Sequence, residues 1–404
     1  MTATTSPPSP SQVRSATRGT YLAFIAAGIA FASWASRIPQ VRDALALTPA
    51  GLGLVLLASA VGSVISLPLS GPVITRIGSQ RTLAVMSILT AVALAGVAIG
   101  YHYGRWPIVV ALFFLGIGYG SWDVAMNVQG ATVERLLGRA IMSRFHAGFS
   151  VGTVAGALVG TAMVALQVSV TVHLLAVAVA LGIAVPLGVR AFVPDTAAHD
   201  VAADPATAPP TPDVARSALS AWREPRTILI GTFVLAFAFA EGTGNDWIAI
   251  GLIDGYGASA ALGTLGFAVF VAAMTAGRWF GPAWLDRHGR VAVNRALTGA
   301  SLVGLALFIF GPNLTLAFVG AALWGFGISL GFPVGMSAGA DEPAMSAARV
   351  SVIASIGYCA FLAGPPLIGF VGEYFTVLDA MIAVAIVLAL AFLIAGNLRP
   401  PRSS

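Results

Sequence analysis

The sequence predicts an all-α membrane protein with twelve transmembrane helices in two pseudo-symmetric six-helix bundles. Three observations support this prediction: a charge-poor composition, a series of long apolar runs, and a pattern that repeats between the two halves. Of the 404 residues, 57% are hydrophobic and only 9% are charged, whereas soluble domains carry about 25% charged residues. A water-facing surface needs charge, so most of the surface of this chain is expected to face lipid.

The apolar runs set the number and position of the expected spans. A helix needs about 20 apolar residues to cross the ~30 Å hydrocarbon layer, and about twelve runs meet this length. They lie near 20–38, 50–74, 82–101, 106–131, 145–166, 171–192, 227–252, 261–284, 293–311, 314–338, 350–371 and 377–397. The first run has no small-residue cleavage site at a suitable distance, so it is interpreted as a retained helix rather than a signal peptide.

Polar segments precede, divide and follow the spans. Residues 1–18 are rich in Pro and Ser and are predicted to form a disordered cytoplasmic tail. Residues 194–226 are rich in Ala, Pro and Asp and have no apolar period, which is typical of a disordered linker. The chain is therefore predicted to comprise an N-terminal bundle at 19–193, a cytoplasmic linker at 194–226, a C-terminal bundle at 227–398 and a short cytoplasmic tail at 399–404.

The basic residues predict the orientation. All 21 are Arg, and with the amino terminus inside, 17 of them fall on the cytoplasmic side of the expected spans. Cytoplasmic loops of membrane proteins carry an excess of Lys and Arg. Both termini and the linker are therefore expected in the cytoplasm, and the protein in the cytoplasmic membrane.

The two halves repeat at a nearly constant spacing. Leu52-Gly53 matches Leu262-Gly263, and Gly71-Pro72 matches Gly281-Pro282, both 210 residues apart. The loops after spans 2 and 8 also agree, as TRIGSQR at 75–81 and DRHGRVA at 286–292. A constant offset across apolar runs and loops indicates an internal duplication.

Two six-helix halves, an internal linker and a loop of the form D-R-x-G-[RK] after the second helix of each half resemble the major facilitator superfamily. The resemblance implies secondary transport by alternating access, with a solute site between the halves near the midplane. It also implies that the loop acid caps and latches neighbouring helices. The second copy has Asp286, while the first has Thr75 in its place. The expected gating residues are Arg76, Gly78, Arg278, Asp286, Arg287 and Gly289.

Span 4 carries a polar stripe in a position that cannot face lipid. Asp123 and Asn127 are four residues apart and share a helix face, which Gly116, Gly120, Gly130 and Glu134 continue. The segment is similar to span 4 of the fucose–proton symporter branch, in which an acid followed four residues later by Asn carries the proton. Here Val128 replaces the Pro of that branch. Asp123 is expected to bind protons or solute, with a helix–helix hydrogen bond as the alternative.

Span 7 holds a second polar group. Glu241 and Asn245 share a face, and Asp246 and Trp247 follow one to two turns nearer the outside. Gly242 and Gly244 flank the acids, which favours a bent or broken helix lining a wet cavity. Glu241 and Asp246 are predicted to take part in proton coupling. For Asp246 the alternative is an outer gate formed with Arg37.

The remaining candidates are more scattered. Trp34 and Arg37 lie in the outer half of span 1, where Trp34 is expected either to stack on a solute or to anchor at the interface. Arg278 is expected to brace the inner gate, and His146 to act in a pH-sensing relay or in a helix-end hydrogen bond. The predicted solute contacts are Trp34, Arg37, Asn127, Asn245, Trp247 and Tyr358.

These residues predict a proton-coupled symporter of a small polar solute, with sugars as one candidate class. The alternative is a proton-antiport exporter of small organic molecules. The Gly-rich run GTVAGALVG at 152–160 resembles the antiporter motif of efflux relatives but lacks its Gly-Pro. The other expected partners are protons and the lipid bilayer, and the chain is expected to be a monomer.

Composition also argues against other classes. One Cys and five scattered His provide no ligand set for a metal. No nucleophile motif or phosphate loop appears in a suitable context, so neither an enzyme nor a cofactor is predicted. The basic residues are explained by membrane topology, so no nucleic-acid partner is expected.

Overall fold

The computed structural model describes residues 8–139, 141–195, 220–342 and 345–400, and these ranges are almost wholly helical. The helices are α1 (Pro10–Ala35), α2 (Ile38–Ala44), α3 (Pro49–Gly100), α4 (Arg105–Leu137), α5 (Met142–Ala165), α6 (Val170–Gly188), α7 (Pro225–Tyr256), α8 (Ala260–Phe310), α9 (Leu314–Ile328), α10 (Gly331–Gly339), α11 (Ser346–Tyr374), α12 (Val377–Ala380) and α13 (Ile382–Ile394). Short 3₁₀ turns follow α6 and α13, at Val189–Ala191 and Ala395–Leu398.

Ten helical segments of the described chain are long and apolar enough to cross a membrane. Two of them, α3 and α8, have 52 and 51 residues. Each of these contains two of the runs that the sequence predicts as separate spans, so the predicted count of twelve is not confirmed. At 1.5 Å per residue, such a helix would be about 77 Å long, more than twice the thickness of the hydrocarbon layer.

Both long helices are interrupted at a glycine. Gly78 in α3 has φ 84° and ψ 157°, and Gly289 in α8 has φ 77° and ψ 162°. Residues with a Cβ are strongly disfavoured in this region of the backbone map. The two glycines are 211 positions apart (289 minus 78), close to the spacing of the sequence repeat. The repeat therefore places the same backbone break in both halves.

The prediction that residues 1–18 form a disordered tail is wrong for its second half. Helix α1 begins at Pro10, and Ser9 forms a capping box with Gln12, in which each side chain accepts from the other's backbone N–H. Pro10 at the first helical position strengthens this start. The apolar run does not show this helix start, because it is set by polar residues. Residues 1–7 lie outside the described part of the chain.

The chain divides into two compact units. Unit 1 comprises Met1–Ala46 and Ala58–Thr207, and unit 2 comprises Leu47–Leu57 and Ala208–Ser404. The division falls within the predicted linker, of which residues 196–219 lie outside the described ranges. The first turns of α3 group with unit 2.

Glycines allow close packing of α1 against α5 in unit 1. A Cβ on Gly28 would meet the carbonyl oxygen of Phe149, and a Cβ on Gly152 would meet that of Ile25. Gly156 approaches Ile29 in the same way. The run at 152–160 is thus a helix-packing face, as its four-residue Gly spacing predicts.

Unit 2 is packed around α7, which contacts α8, α11 and α13, while α8 also packs along α9. Trp247 and Trp324 are fully buried in this unit. The ring of Trp324 meets those of Phe270 and Phe308 edge-on, at centroid distances of 5.3 and 5.9 Å.

Helix α7 is continuous from Pro225 to Tyr256, so of the bent or broken helix predicted at Gly242 and Gly244, the break is wrong. Gly244 instead leaves room for the ring of Phe270, which an added Cβ would overlap. Gly242 faces the ring of Phe361 at ordinary van der Waals distance. These glycines therefore serve packing between helices, and the acids beside them are carried on regular helix.

Candidate functional site

Asp123 and Asn127 contact each other on α4 in unit 1, as their spacing predicts. The Asn127 side-chain amide donates to the main-chain oxygen of Asp123 at 2.8 Å and to its carboxylate at 3.3 Å. Both side chains are half-buried. No Arg or His within the described residues forms an ion pair with Asp123, so the described chain leaves its charge unneutralised.

The face of α4 that carries Asp123 packs on α3 through small and hydroxyl-bearing residues. Ser63 donates to the carbonyl oxygen of Gly116 at 3.1 Å, and Ser70 donates to Ser121 at 3.0 Å. A Cβ on Gly120 would overlap the hydroxyl of Ser66. The predicted small-residue stripe thus brings two helices together and positions the Asp123 segment.

Glu134 has a local role. Its carboxylate accepts from the backbone N–H groups of Ile141 and Met142 at 2.6 and 2.7 Å. It therefore caps the start of α5.

Glu241 on α7 forms an ion pair with Arg278 on α8, both in unit 2. Arg278 Nη2 lies 3.0 Å from Oε1 and 2.9 Å from Oε2 of Glu241. Arg278 Nε also donates weakly to the main-chain oxygen of Ser329 at 3.4 Å. The sequence predicts that Arg278 braces the inner gate, but its ionic partner in this structure is Glu241.

The other polar groups of α7 have few partners. Asp246 is half-buried and makes no hydrogen bond or ion pair within the part of the chain that the structure describes. Oδ1 of Asn245 and Nε1 of Trp247 are buried without hydrogen-bond partners there. Trp247 is fully buried, so it contributes to the packing of unit 2. Asp246 is therefore the one predicted proton carrier of this helix that has no ionic partner among the described residues.

Arg37 is buried in unit 1, and its side-chain partner is a histidine. Arg37 Nε donates to Nδ1 of His173 at 2.9 Å, and the two residues are 2% and 3% exposed. Trp34, one turn earlier, is also buried at 6% exposure. Span 1 thus buries both of its predicted solute contacts.

His146 and Tyr358 lie against aromatic rings. The His146 ring is edge-on to Phe24 at a centroid distance of 5.1 Å, although the side chain as a whole is exposed. Tyr358 is half-buried, with its ring 6.2 Å from that of Phe361. Their proposed roles in pH sensing and solute contact remain predictions.

The loop after span 8 is anchored by Arg290. Arg290 Nη1 lies 2.6 Å from the carboxylate of Asp341, which also pairs with Arg226 Nη2 at 2.8 Å. Asp286 and Arg287 are exposed, and Asp286 has no ionic or hydrogen-bonding partner in the described ranges. The latch that the family resemblance implies for Asp286 is not formed in this structure.

The matching loop in unit 1 uses a different anchor. Arg76 is exposed, and the turn at Gly78 is held by Asp195, which accepts from the backbone N–H of Ser79 at 2.7 Å and from its hydroxyl. A side-chain acid thus supports the loop in each unit, although Thr75 replaces the acid of the motif.

A second ionic group lies at the start of α7. Arg349 Nε donates to Glu224 at 2.6 Å, and Arg349 Nη1 lies 3.0 Å from Glu342. The Arg349 guanidinium lowers the pKa of the Glu224 carboxyl below its ordinary value. This group ties the beginnings of α7 and α11 together.

Sequence reasoning does not find His173, Asp195 or Asp341. His173 lies in an apolar run, and its one polar neighbour three or four residues away is Ser169, which directly precedes α6. Asp195 and Asp341 lie in loops at large separations from their partners, so only tertiary structure brings them together. The one available signal is that these residues are isolated polar groups beside apolar spans.

Known proteins of similar sequence are membrane transporters or membrane proteins. A family model described as Major Facilitator Superfamily matches residues 20–358. The chain is 30% identical over 370 residues to an uncharacterised MFS-type transporter of Yersinia pestis, covering 91% of this chain and 92% of the relative. It is 31% identical over 384 residues to an uncharacterised transporter of Sinorhizobium fredii, covering 95% and 98%. The membrane protein MosC of Rhizobium meliloti is 27% identical over 376 residues, with coverage of 92% and 85%.

Solved structures show the same fold at low sequence identity. The nucleoside transporter NupG has a TM-score of 0.74 and 16% identity, covering 95% of this chain and 98% of NupG. The fucose:proton symporter FucP of E. coli, solved as a point mutant, has a TM-score of 0.63 and 14% identity, covering 97% and 100%. At these identities the likeness establishes the fold alone.

Proposed function

Since this chain belongs to the major facilitator superfamily, a family of transporters, we propose that it moves a small polar solute across the cytoplasmic membrane by proton-coupled symport. Protons would bind first at Asp123 and Asp246. The solute would be handled by alternating access, as the family resemblance implies. The chain is a multi-pass membrane protein, which fits this role.

One contrast among the acids supports proton coupling. Glu241 is neutralised by Arg278, whereas Asp123 is hydrogen-bonded only by the amide of Asn127 among the described residues. A charge inside a membrane span is costly, and such acids commonly belong to proton relays. An acid without a cationic partner can lose this charge by taking up a proton. Asp123 is therefore the first candidate for the carrier.

The span count and orientation follow from the two broken helices. We propose that α3 and α8 each supply two spans, which meet at Gly78 and Gly289. This arrangement restores twelve crossings, six before and six after the linker. It also places the Arg-rich loops, both termini and the linker on the cytoplasmic side.

The solute is proposed to be neutral and polar, such as a sugar or a nucleoside. NupG is a nucleoside transporter and FucP a fucose:proton symporter, and both share this fold. Asn127 and Asn245 offer amide groups of the kind that bind hydroxyl-rich solutes. Oδ1 of Asn245 lacks a hydrogen-bond partner within the described residues, so it is free to accept from such a solute.

The direct test is proton movement in proteoliposomes of the full-length protein. Sugars and nucleosides are added outside without an imposed gradient, and external pH is recorded. Symport carries protons inward with the solute, so the medium should become more alkaline. Acidification on adding a solute would instead favour antiport, the alternative function. If no solute in a broad panel moves protons while exchange of labelled solute is measurable, coupling to protons is wrong.

A further inference from the structure

The bond between Arg37 and His173 restricts the protonation state of the histidine. A guanidinium has only donors, so His173 Nδ1, which receives Arg37 Nε–H at 2.9 Å, must carry a free lone pair. His173 is therefore neutral in this structure, with its proton on Nε2. Imidazolium has no lone pair and cannot accept this bond.

No anion compensates the buried guanidinium. Within the described residues, Arg37 forms no ion pair with a carboxylate, although it is only 2% exposed. Arg37 Nη2 and His173 Nε2 are both buried without hydrogen-bond partners there. A second positive charge on His173 would lie in contact with the first, and like charges at this distance repel strongly in a buried site.

The groups around the pair supply no counter-charge either. Tyr101 and His102 both bond the hydroxyl of Thr171 near the start of α6, at 3.3 and 3.0 Å. On α2, Asp43 is exposed and lies 2.7 Å from Arg42. On α5, Gly160 faces this site, and residues 157–165 contain no titratable side chain. Protonated His173 would therefore meet Arg37 with no described acid to neutralise either group.

We infer that His173 is a positioning residue that holds Arg37 in place while it is neutral and releases it on taking up a proton. The bond joins the start of α6 to the junction of α1 and α2. The backbone N–H of Arg37 donates to the main-chain oxygen of Trp34 at 2.8 Å, so the Arg37 side chain leaves the chain directly after the last turn of α1. The role of the Arg37–His173 bond in transport rests on the proposed function. The bond itself, and its dependence on the protonation of His173, are independent of that function.

The first test uses purified full-length protein without solute. Nitrogen-15 spectra of the histidine rings, assigned by the signal lost in His173→Gln, should show His173 as the neutral Nε2–H form at about pH 7.5. On acidification this signal should convert to imidazolium together with a change in tryptophan fluorescence that is absent in Trp34→Phe. A neutral Nδ1–H form, or a His173 that stays neutral until the protein unfolds in acid, would overturn the inference.

The second test separates titration from structure. The Gln side chain in His173→Gln keeps an acceptor oxygen but does not titrate, so this variant should keep Arg37 bound at every pH. On acidification the unfolding temperature of the wild type should fall by several degrees more than that of the variant. His102→Gln, at an exposed histidine of the same unit, should behave as the wild type. Equal acid sensitivity of the wild type and His173→Gln would contradict the inference.

Transport then supplies an independent measure. If Arg37 takes part in turnover, His173→Gln should flatten the pH profile of solute exchange, which needs no proton gradient. If the variant exchanges solute with the wild-type pH profile, the release of Arg37 by His173 does not act on transport. Loss of proton coupling with the spectroscopic result intact would reject the proposed function and leave the inference standing.

Discussion

Arg278 Nη2 lies within 3.0 Å of both carboxylate oxygens of Glu241, which joins α7 to α8 by an ion pair inside unit 2. The two side chains are 29% and 22% exposed. Removal of one partner leaves the other as an unpaired charge within a membrane span. The cost of that unpaired charge exceeds the net value of the pair itself.

Glu241→Gln and Arg278→Gln should each lower the free energy of unfolding by about 1.5–3 kcal/mol, the usual loss for a hydrogen bond to a charged group. The double variant should recover part of this loss, because neither charge remains. Thermal unfolding of the purified protein measures all three. Arg287→Gln is the control, since Arg287 is exposed on the same helix and should change stability little. Additive losses in the double variant would show that the two residues do not act as a pair.

How far the sequence predicts this site depends on the spacing of its parts. Asp123 and Asn127 are four residues apart, so helix geometry alone predicts their contact. Glu241 and Arg278 are 37 residues apart, and no periodicity indicates which basic residue of unit 2 meets Glu241. Their pairing depends on how α7 and α8 pack, which is decided by apolar contacts along both helices.

Asp123→Asn should abolish accumulation of solute driven by a pH gradient and leave exchange without a gradient measurable, because only the titrating group of a proton relay is removed. Asn can still accept the bond from Asn127, so the local structure should persist. Paired uptake and counterflow in proteoliposomes separate the two activities. Asp43→Asn, at an exposed acid, is the matched control.

The result for Asp123→Asn decides whether Asp123 is the proton carrier. If Asp123→Asn still accumulates solute in response to the gradient as the wild type does, Asp123 is not the proton carrier. Asp246→Asn should then show the loss, since Asp246 also lacks an ionic partner in the described ranges. Unchanged accumulation in both single variants and in the double variant would exclude proton coupling through these two acids.

Gly289→Ala should destabilise the protein by about 1–3 kcal/mol, because φ 77° and ψ 162° lie in a region reached almost only by glycine. Gly299→Ala is the control: Gly299 lies inside the same helix, and an added Cβ would meet nothing within 4 Å. Alanine there should leave stability unchanged or raise it by up to ~1 kcal/mol. Thermal unfolding compares the two, and equal effects would mean that the backbone break at Gly289 does not persist in the membrane.

The helix breaks follow the sequence more closely than the start of α1 does. Twelve apolar runs and two matching loops indicate where the chain turns, and the loops do contain Gly78 and Gly289. At both glycines the backbone leaves the helical region, so each long segment consists of two helices that meet at a break. The start of α1 after Ser9 escapes prediction, because capping is local and polar and leaves no trace in hydrophobic periodicity.

The two acids near the loop of unit 2 should behave differently. Asp341 pairs with both Arg226 and Arg290, and its side chain is only 9% exposed. Asp341→Asn removes the charge that holds two guanidinium groups, so it should lower the free energy of unfolding by about 1.5–3 kcal/mol. Asp286→Asn should leave stability unchanged, because exposed Asp286 has no partner among the described residues. Thermal unfolding of the two variants, compared with the wild type, measures this difference.

Transport tests whether Asp286 gains a partner in another conformation of the cycle. If it does, Asp286→Asn should slow turnover and leave the solute concentration at half-maximal rate unchanged, since a residue that binds in one state only shifts the balance between states. Initial rates of counterflow over a range of solute concentrations measure both quantities. A variant with weakened solute affinity and normal turnover would contradict a gating role. A variant identical to the wild type in both would mean that Asp286 gains no partner that affects turnover.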